Sequence, residues 1–281
     1  MASIPMERME PGARESLRDP VAVEEPMEVR VEHRGAGGWE TRSVAVTMRT
    51  PDHDFELAAG FLFSEGIVRV RDQIREVTYC RDGGTQEYNI VTVRLRSGVI
   101  LEEGLLSRNF YTSSSCGVCG KASLEAIETR GCEPLLRGGL NLEASVLADL
   151  PHRLLGGQHA FQRTGGLHAA GLFDQEGALS QVREDVGRHN AVDKVVGAAF
   201  LAGALPLEDR VLAVSGRTSF EIIQKAVSAG IPVIVAVGAP SSLAVDLARQ
   251  FNVTLLGFTR PERFNVYSGG ERVRDWKAVG A

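Results

Sequence analysis

The downstream half of the chain alternates two patterns of apolar residues. Largely uninterrupted apolar runs, Val211 to Ser215, Pro232 to Val237 and Val253 to Gly257, are separated by segments in which apolar positions recur every three or four residues, Phe220 to Ala229 and Leu243 to Phe251. A strand buried on both faces has no polar face to alternate with, whereas a helix lying on a sheet needs one apolar stripe. The pattern predicts parallel β-α-β units. Gly230 ends the first helix, and the loops Gly216-Arg217-Thr218-Ser219 and Gly238-Ala239-Pro240-Ser241-Ser242 follow the first two strands.

Upstream the period shortens. Val29 and Val31 alternate with polar neighbours over Glu28 to Glu32, Val44 and Val46 do so over Thr41 to Thr47, and Gly35 to Gly38 lies between, which predicts a hairpin. Phe55 to Phe63, after Pro51-Asp52-His53-Asp54, suits a short helix closed near Gly66. A second hairpin is expected from Val77 to Cys80 and Tyr88 to Leu95, around Asp82-Gly83-Gly84. Residues 21–106 therefore read as a small α+β domain and residues 158–281 as an α/β domain. Between them, residues 107–157 hold a serine-rich loop, a helix over about 121–130, and a helix from Asn141 to Leu155 with Asn141 as its N-cap and Pro151 as a kink or break. Residues 1–20 are polar and interrupted by Pro5, Pro11 and Gly12, and read as a disordered tail.

Composition narrows the function classes. At 281 residues and 43% hydrophobic, the chain can bury one large core or two modest ones, and its net charge of −5 supplies no basic field for neutralising phosphates along a nucleic acid. Nucleic acid is excluded as the expected partner. No apolar run approaches 18 residues and the N-terminus lacks a secretory pattern, so a soluble, cytoplasmic protein with no membrane association is expected. Four cysteines are too few for a disulfide scaffold in a chain of this length, and Cys80 and Cys132, standing alone, read as packing residues.

Cys116 and Cys119 differ from those two. In Ser115-Cys116-Gly117-Val118-Cys119-Gly120-Lys121 they stand three positions apart among small residues, just before a predicted helix. The thiolate is the sulfur nucleophile, and a helix N-terminus can lower a cysteine pKa from about 8.5 into roughly the 3.5–7.5 range. That loop suits sulfur chemistry.

In a parallel sheet, ligands sit beyond the carboxyl ends of the strands. Three such ends are predicted: Ser215 to Ser219, Gly238 to Ser242, and Phe258-Thr259-Arg260-Pro261-Glu262-Arg263. The last adds two guanidinium groups on a proline-stiffened turn, which suits phosphate or a purine face. An anionic, nucleotide-like ligand is indicated, although serines and glycines also serve simply as helix caps, and neither a Walker sequence nor G-x-G-x-x-G follows a strand. A further polar cluster comprises Thr164 to Gly171, with His168, and Arg183 to Lys194, with His189, opening a helix that runs to about Leu201. Salt bridges and capping would account for most of it.

Seven segments in order resemble the FdhD family of formate dehydrogenase accessory sulfurtransferases: Met48-Arg49-Thr50-Pro51, Gly60-Phe61-Leu62-Phe63, the Cys116/Cys119 loop, Gly166-Leu167-His168-Ala169-Ala170, Asp185-Val186-Gly187-Arg188-His189-Asn190-Ala191, Val214-Ser215-Gly216-Arg217-Thr218-Ser219, and Gly257-Phe258-Thr259-Arg260. The resemblance implies a homodimeric sulfur carrier that accepts persulfide sulfur from a cysteine desulfurase. It passes that sulfur to the molybdenum of the bis(molybdopterin guanine dinucleotide) cofactor, whose recipient is formate dehydrogenase. Carried over, Cys116 is the first choice for the persulfide and Cys119 the partner that relays or releases it. The cofactor's guanine nucleotide moiety falls on Phe258, Thr259, Arg260, Pro261, Glu262 and Arg263. The cofactor is bound as a substrate, with no intrinsic metal. The fold implied is a cytidine-deaminase-like α/β core with a smaller N-terminal α+β domain.

Rival chemistries are distinguishable. Zinc deaminases use H-x-E and a later P-C-x-x-C, whereas here Ala170 stands in place of the glutamate and the C-x-x-C precedes the histidine. A thiol-disulfide oxidoreductase would carry its cysteine pair directly after a strand of a thioredoxin-like unit. A non-catalytic cofactor chaperone would keep the ligand site and dispense with the thiols. Zinc would need Cys80 and Cys132 brought to the pair.

Overall fold

A computed structural model of the chain describes residues 1–35, 37–80, 87–99, 110–111, 133–136 and 139–276. The first strands, β1 (Ala2–Glu10) and β2 (Ala13–Val21), form an antiparallel hairpin in register from Ala2↔Val21 to Glu10↔Ala13, where disorder was expected. Polar composition measured the lack of a private core. It did not count backbone pairing, and Gly12, at φ 80°, closes the turn without the cost a Cβ would add.

The next strands are β3 (Glu25–Gly35), β4 (Gly38–Arg49), β5 (Ile74–Cys80), β6 (Glu87–Leu95) and β7 (Phe110–Tyr111), in the sheet order β5-β6-β3-β4-β7. Period-two alternation puts Met27, Val29 and Val31 on one face beside Val91 and Val93. That face packs on Leu57, Ala58, Phe61 and Leu62 of α1 (Asp54–Ser64). Both predicted hairpins form, although residues 81–86 of the second lie outside the described residues.

A short strand β8 (Leu142–Glu143) precedes α2 (Ala144–Gly157), followed by α3 (His159–Thr164). The helix expected from Asn141 thus begins at Ala144, because Leu142 and Glu143 pair in parallel with the late strand β15 (Val273–Arg274). Pro151 sits inside α2 without ending it.

The second sheet comprises β9 (His168–Phe173), β10 (Leu179–Asp185), β11 (Val211–Val214), β12 (Val233–Ala236), β13 (Thr254–Arg260) and β14 (Arg263–Ser268), in the order β10-β9-β11-β12-β13-β14. Its centre, β11-β12-β13, is parallel, as the apolar runs predicted, and the other pairs are antiparallel. One face, with Leu212, Val214 and Ile234, packs on α4 (Arg188–Leu201), α5 (Phe220–Ser228) and α6 (Ser242–Gln250). The other, with Val211, Ala213 and Val235, packs on Leu147, Leu150 and Leu154 of α2. The chain is therefore a mixed α/β protein.

Helix α1 joins the two sheets by lying against α4. A Cβ built on Gly60 would stand 1.9 Å from the Asp193 carbonyl oxygen, and one on Gly197 1.8 Å from that of Glu56. Only glycine permits this backbone contact. Among the described residues, no helix is long and apolar enough to cross a membrane.

Candidate functional site

The parallel strands end side by side, and their loops are tied in sequence. The Gly238 N–H donates to the Gly216 carbonyl (3.0 Å) and the Phe258 N–H to that of Gly238 (3.1 Å). A Cβ on Gly238 would lie 2.9 Å from Arg217 N and Cα, so the sequence needs glycine for this approach. Because β9 runs antiparallel to β11, its first residue, His168, reaches the same edge. There the Ser215 N–H bonds the Ala169 carbonyl (3.0 Å), and Ser215 Oγ accepts from the Ala169 N–H (2.9 Å). The N-terminus of α4 brings Arg188. Together His168, Arg188, Ser215, Gly216, Arg217, Val237, Gly238, Phe258 and Arg260 line a cavity of about 350 Å³.

The described residues that line this cavity include three arginines and no carboxylate. Among the described residues, Arg188 and Arg217 make no ion pair, and Arg188 Nε is buried without a partner. Among the described residues, Arg260 Nη1 donates to the carbonyls of Val237 (3.1 Å) and Thr259 (2.7 Å) and to no carboxylate. Burial foremost, then the charges of Arg188 and Arg217, holds the His168 imidazole below its ordinary pKa, against the opposing pull of Asp185. Phe258 stands at the lip, 46% exposed, with φ 53°, a left-handed conformation that costs a residue with a Cβ about 1–3 kcal/mol. Converging cations beside an exposed ring could hold an anion attached to a flat ring.

Beside the cavity lies a charge cluster that is fully paired. Lys194 and Asp185 are completely buried and 2.8 Å apart. Lys194 also donates to the carbonyls of Thr50 (2.9 Å) and Glu184 (3.2 Å), and Asp185 accepts from the N–H groups of Thr50 and Gly187 and from Asn190 Nδ2. Deeper in, Asp193 pairs with Lys225 at 2.8 Å and accepts from Ser64 Oγ at 3.0 Å. These contacts fasten α1 and the turn after β4 to α4. His189 Nε2 meets Ser219 Oγ at 2.9 Å, and burial, aided by Lys225 and Arg188, lowers its pKa to about 4.

The candidate residues from the sequence divide accordingly. Phe258 and Arg260 line the cavity. Thr259 is buried with its Oγ1 unpartnered, and Pro261, Glu262 and Arg263 are exposed where β13 turns into β14. The loop expected there is instead the tip of a β-hairpin, with a register irregularity between Gly257 and Arg260. Cys116, Cys119 and Cys132 lie outside the described residues; Cys80 sits on β5 with Arg30 Nη1 at 3.9 Å from its sulfur. Arg188 and Arg217, which sequence reasoning did not single out as ligands, carry the cavity's unpaired charge. The available signal was an arginine between Gly216 and Thr218 directly after a buried strand.

A family profile described as FdhD/NarQ matches residues 22–274. The chain is 51% identical over 274 residues to a sulfur carrier protein FdhD of Streptomyces avermitilis, covering 95% of this chain and 93% of that one. It is 48% identical over 261 residues to one of Mycobacterium tuberculosis, covering 90% and 91%. Among solved structures it resembles one described as a formate dehydrogenase accessory protein from Desulfotalea psychrophila, with a TM-score of 0.74, 27% identity, and coverage of 97% and 99%.

Proposed function

Because the chain belongs to the FdhD/NarQ family, we propose that it carries sulfur as a persulfide to a molybdenum cofactor destined for formate dehydrogenase. The observation that carries the cofactor half of this reading is the cavity in which Arg188, Arg217 and Arg260 converge without carboxylates. A pyrophosphate diester would supply the missing negative charge, and Phe258 offers a face on which a guanine ring would stack. The bound substrate is then bis(molybdopterin guanine dinucleotide), held by its guanosine pyrophosphate arms. The order β10-β9-β11-β12-β13 supports reading the core as cytidine-deaminase-like.

The sulfur half rests on Cys116 and Cys119. The Cys116 thiolate attacks the outer sulfur of a cysteine desulfurase persulfide. The donor's S–S bond breaks, the donor cysteine leaves as thiolate, and Cys116 holds the sulfane sulfur. Attack by the Cys119 thiolate on Cys116 Sγ then expels hydrosulfide beside the molybdenum and leaves a Cys116–Cys119 disulfide. The two electrons that reduce the sulfane sulfur come from the thiols, and a cellular dithiol restores them. The carrier works in the cytoplasm as a homodimer.

Incubation with a cysteine desulfurase and cysteine, followed by peptide mass spectrometry, should add about one sulfur atom to the peptide bearing Cys116. A protein that stays unlabelled there would overturn the reading. Cys116→Ala should bind a guanosine pyrophosphate as the parent does yet leave formate dehydrogenase inactive; full activity would favour a non-catalytic chaperone.

A further inference from the structure

Among the described residues that line the cavity, His168 is the one whose charge is adjustable. It half-emerges at the start of β9, with its Nδ1 3.2 Å from where a Gly216 Cβ would stand, and its ring makes no hydrogen bond or ion pair among the described residues. Charged groups reach the cavity from several elements. Arg188 comes from α4, Arg217 from the loop after β11 and Arg260 from β13; Asp185, its cross-strand partner on β10, is already engaged by Lys194. His189, next along α4, is held by Ser219, with Glu221 at 3.7 Å and Lys225 behind it.

We infer that His168 is a proton-linked phosphate contact: neutral in the empty cavity, it takes a proton from solvent when a pyrophosphate diester settles among the arginines, and donates an N–H to it. The inference rests on the cavity reading above and goes beyond it to a coupling between cargo and pH. The physical cause is a reversal of the local field. Without ligand, burial and the two nearest guanidinium groups penalise a charged imidazole. A dianion between them cancels the guanidinium field and adds an acceptor for the ring, so both influences reverse while the burial cost is shared with a partner.

Since binding consumes a proton, affinity rises as pH falls. The slope reaches about tenfold per pH unit between the ring's ionisation in the occupied and in the empty cavity. Below the latter the proton is already present and the dependence ends. A ligand without phosphates leaves the field unchanged and takes up none.

Isothermal titration with GDP-mannose tests this, because its pyrophosphate diester has no group that titrates near neutrality, whereas the terminal phosphate of GDP does. Titrations in buffers of different ionisation enthalpy near pH 7 should show uptake of up to about one proton per site for GDP-mannose and none for guanosine. His168→Gln and His168→Asn should each still bind GDP-mannose while losing both the uptake and the pH slope. Binding to the parent protein without uptake would overturn the inference and leave the cavity reading standing, as would uptake that persists in both variants, which would locate the proton elsewhere. Failure of the parent to bind GDP-mannose at all would overturn both.

Discussion

Asp185, the last residue of β10, and Arg188, the first of α4, stand three positions apart in opposite electrostatic situations. Asp185 is fully buried, faces Lys194 at 2.8 Å and accepts three further hydrogen bonds, and Lys194 uses all three of its donors. Arg188 and Arg217 share a cavity with Arg260 and His168 and have no ionic partner among the described residues. A buried charge that is fully paired serves the fold. Charges of one sign gathered without carboxylates repel one another; water screens Arg217 and Arg260, which are exposed, and an anion would relieve the repulsion that remains. The first cluster holds α4 in place so that the second can remain incomplete.

Breaking the paired cluster should have the largest effect. Lys194→Met leaves Asp185 buried and uncompensated, a loss of about 3–5 kcal/mol measurable by denaturant unfolding. Acid probes the boundary between the clusters. His189 is neutral in the fold down to about pH 4, whereas in the unfolded chain it takes a proton near pH 6.5, so stability should fall by up to about 3 kcal/mol as pH drops from 6.5 to 4. His189→Gln should flatten that dependence. In the unpaired cluster the sign of the stability effect differs: Arg217→Ala should weaken GDP-mannose binding roughly 10- to 100-fold without lowering the melting temperature, because it removes repulsion as well as the proposed phosphate contact. An exposed pair sets the baseline. Arg274→Ala loses a 2.8 Å contact with Glu143 in solvent and should change stability by at most about 1 kcal/mol. A loss of several kcal/mol for Arg217→Ala, or none for Lys194→Met, would erase the distinction.

Much of this was legible in the chain. The runs Val211 to Ser215 and Pro232 to Val237 fold as the buried strands that their lack of a polar face predicted, and the helix expected to reach about Leu201 ends there. Local pattern failed where a distant partner decided the outcome. Leu142 and Glu143 joined β15 instead of starting a helix, Phe258 to Arg260 extended β13 because β14 folds back on it, and the first twenty residues paired with each other. The cluster from Arg183 to Lys194 was visible as chemistry without a division of labour. Which of its charges were used up depended on Thr50 and Asn190, one far away in sequence and the other near.

By itself, the amino-acid order determined the elements that depend on neighbours along the chain: the apolar strands, the amphipathic helices between them, and the glycines that let loops and helices approach. It also carried the paired cysteines and the family's segments. The tertiary structure alone decided which arginines lack a carboxylate and that they meet at His168, since ion pairing depends on distance through space, and Arg188, Arg217 and Arg260 come from three separate elements.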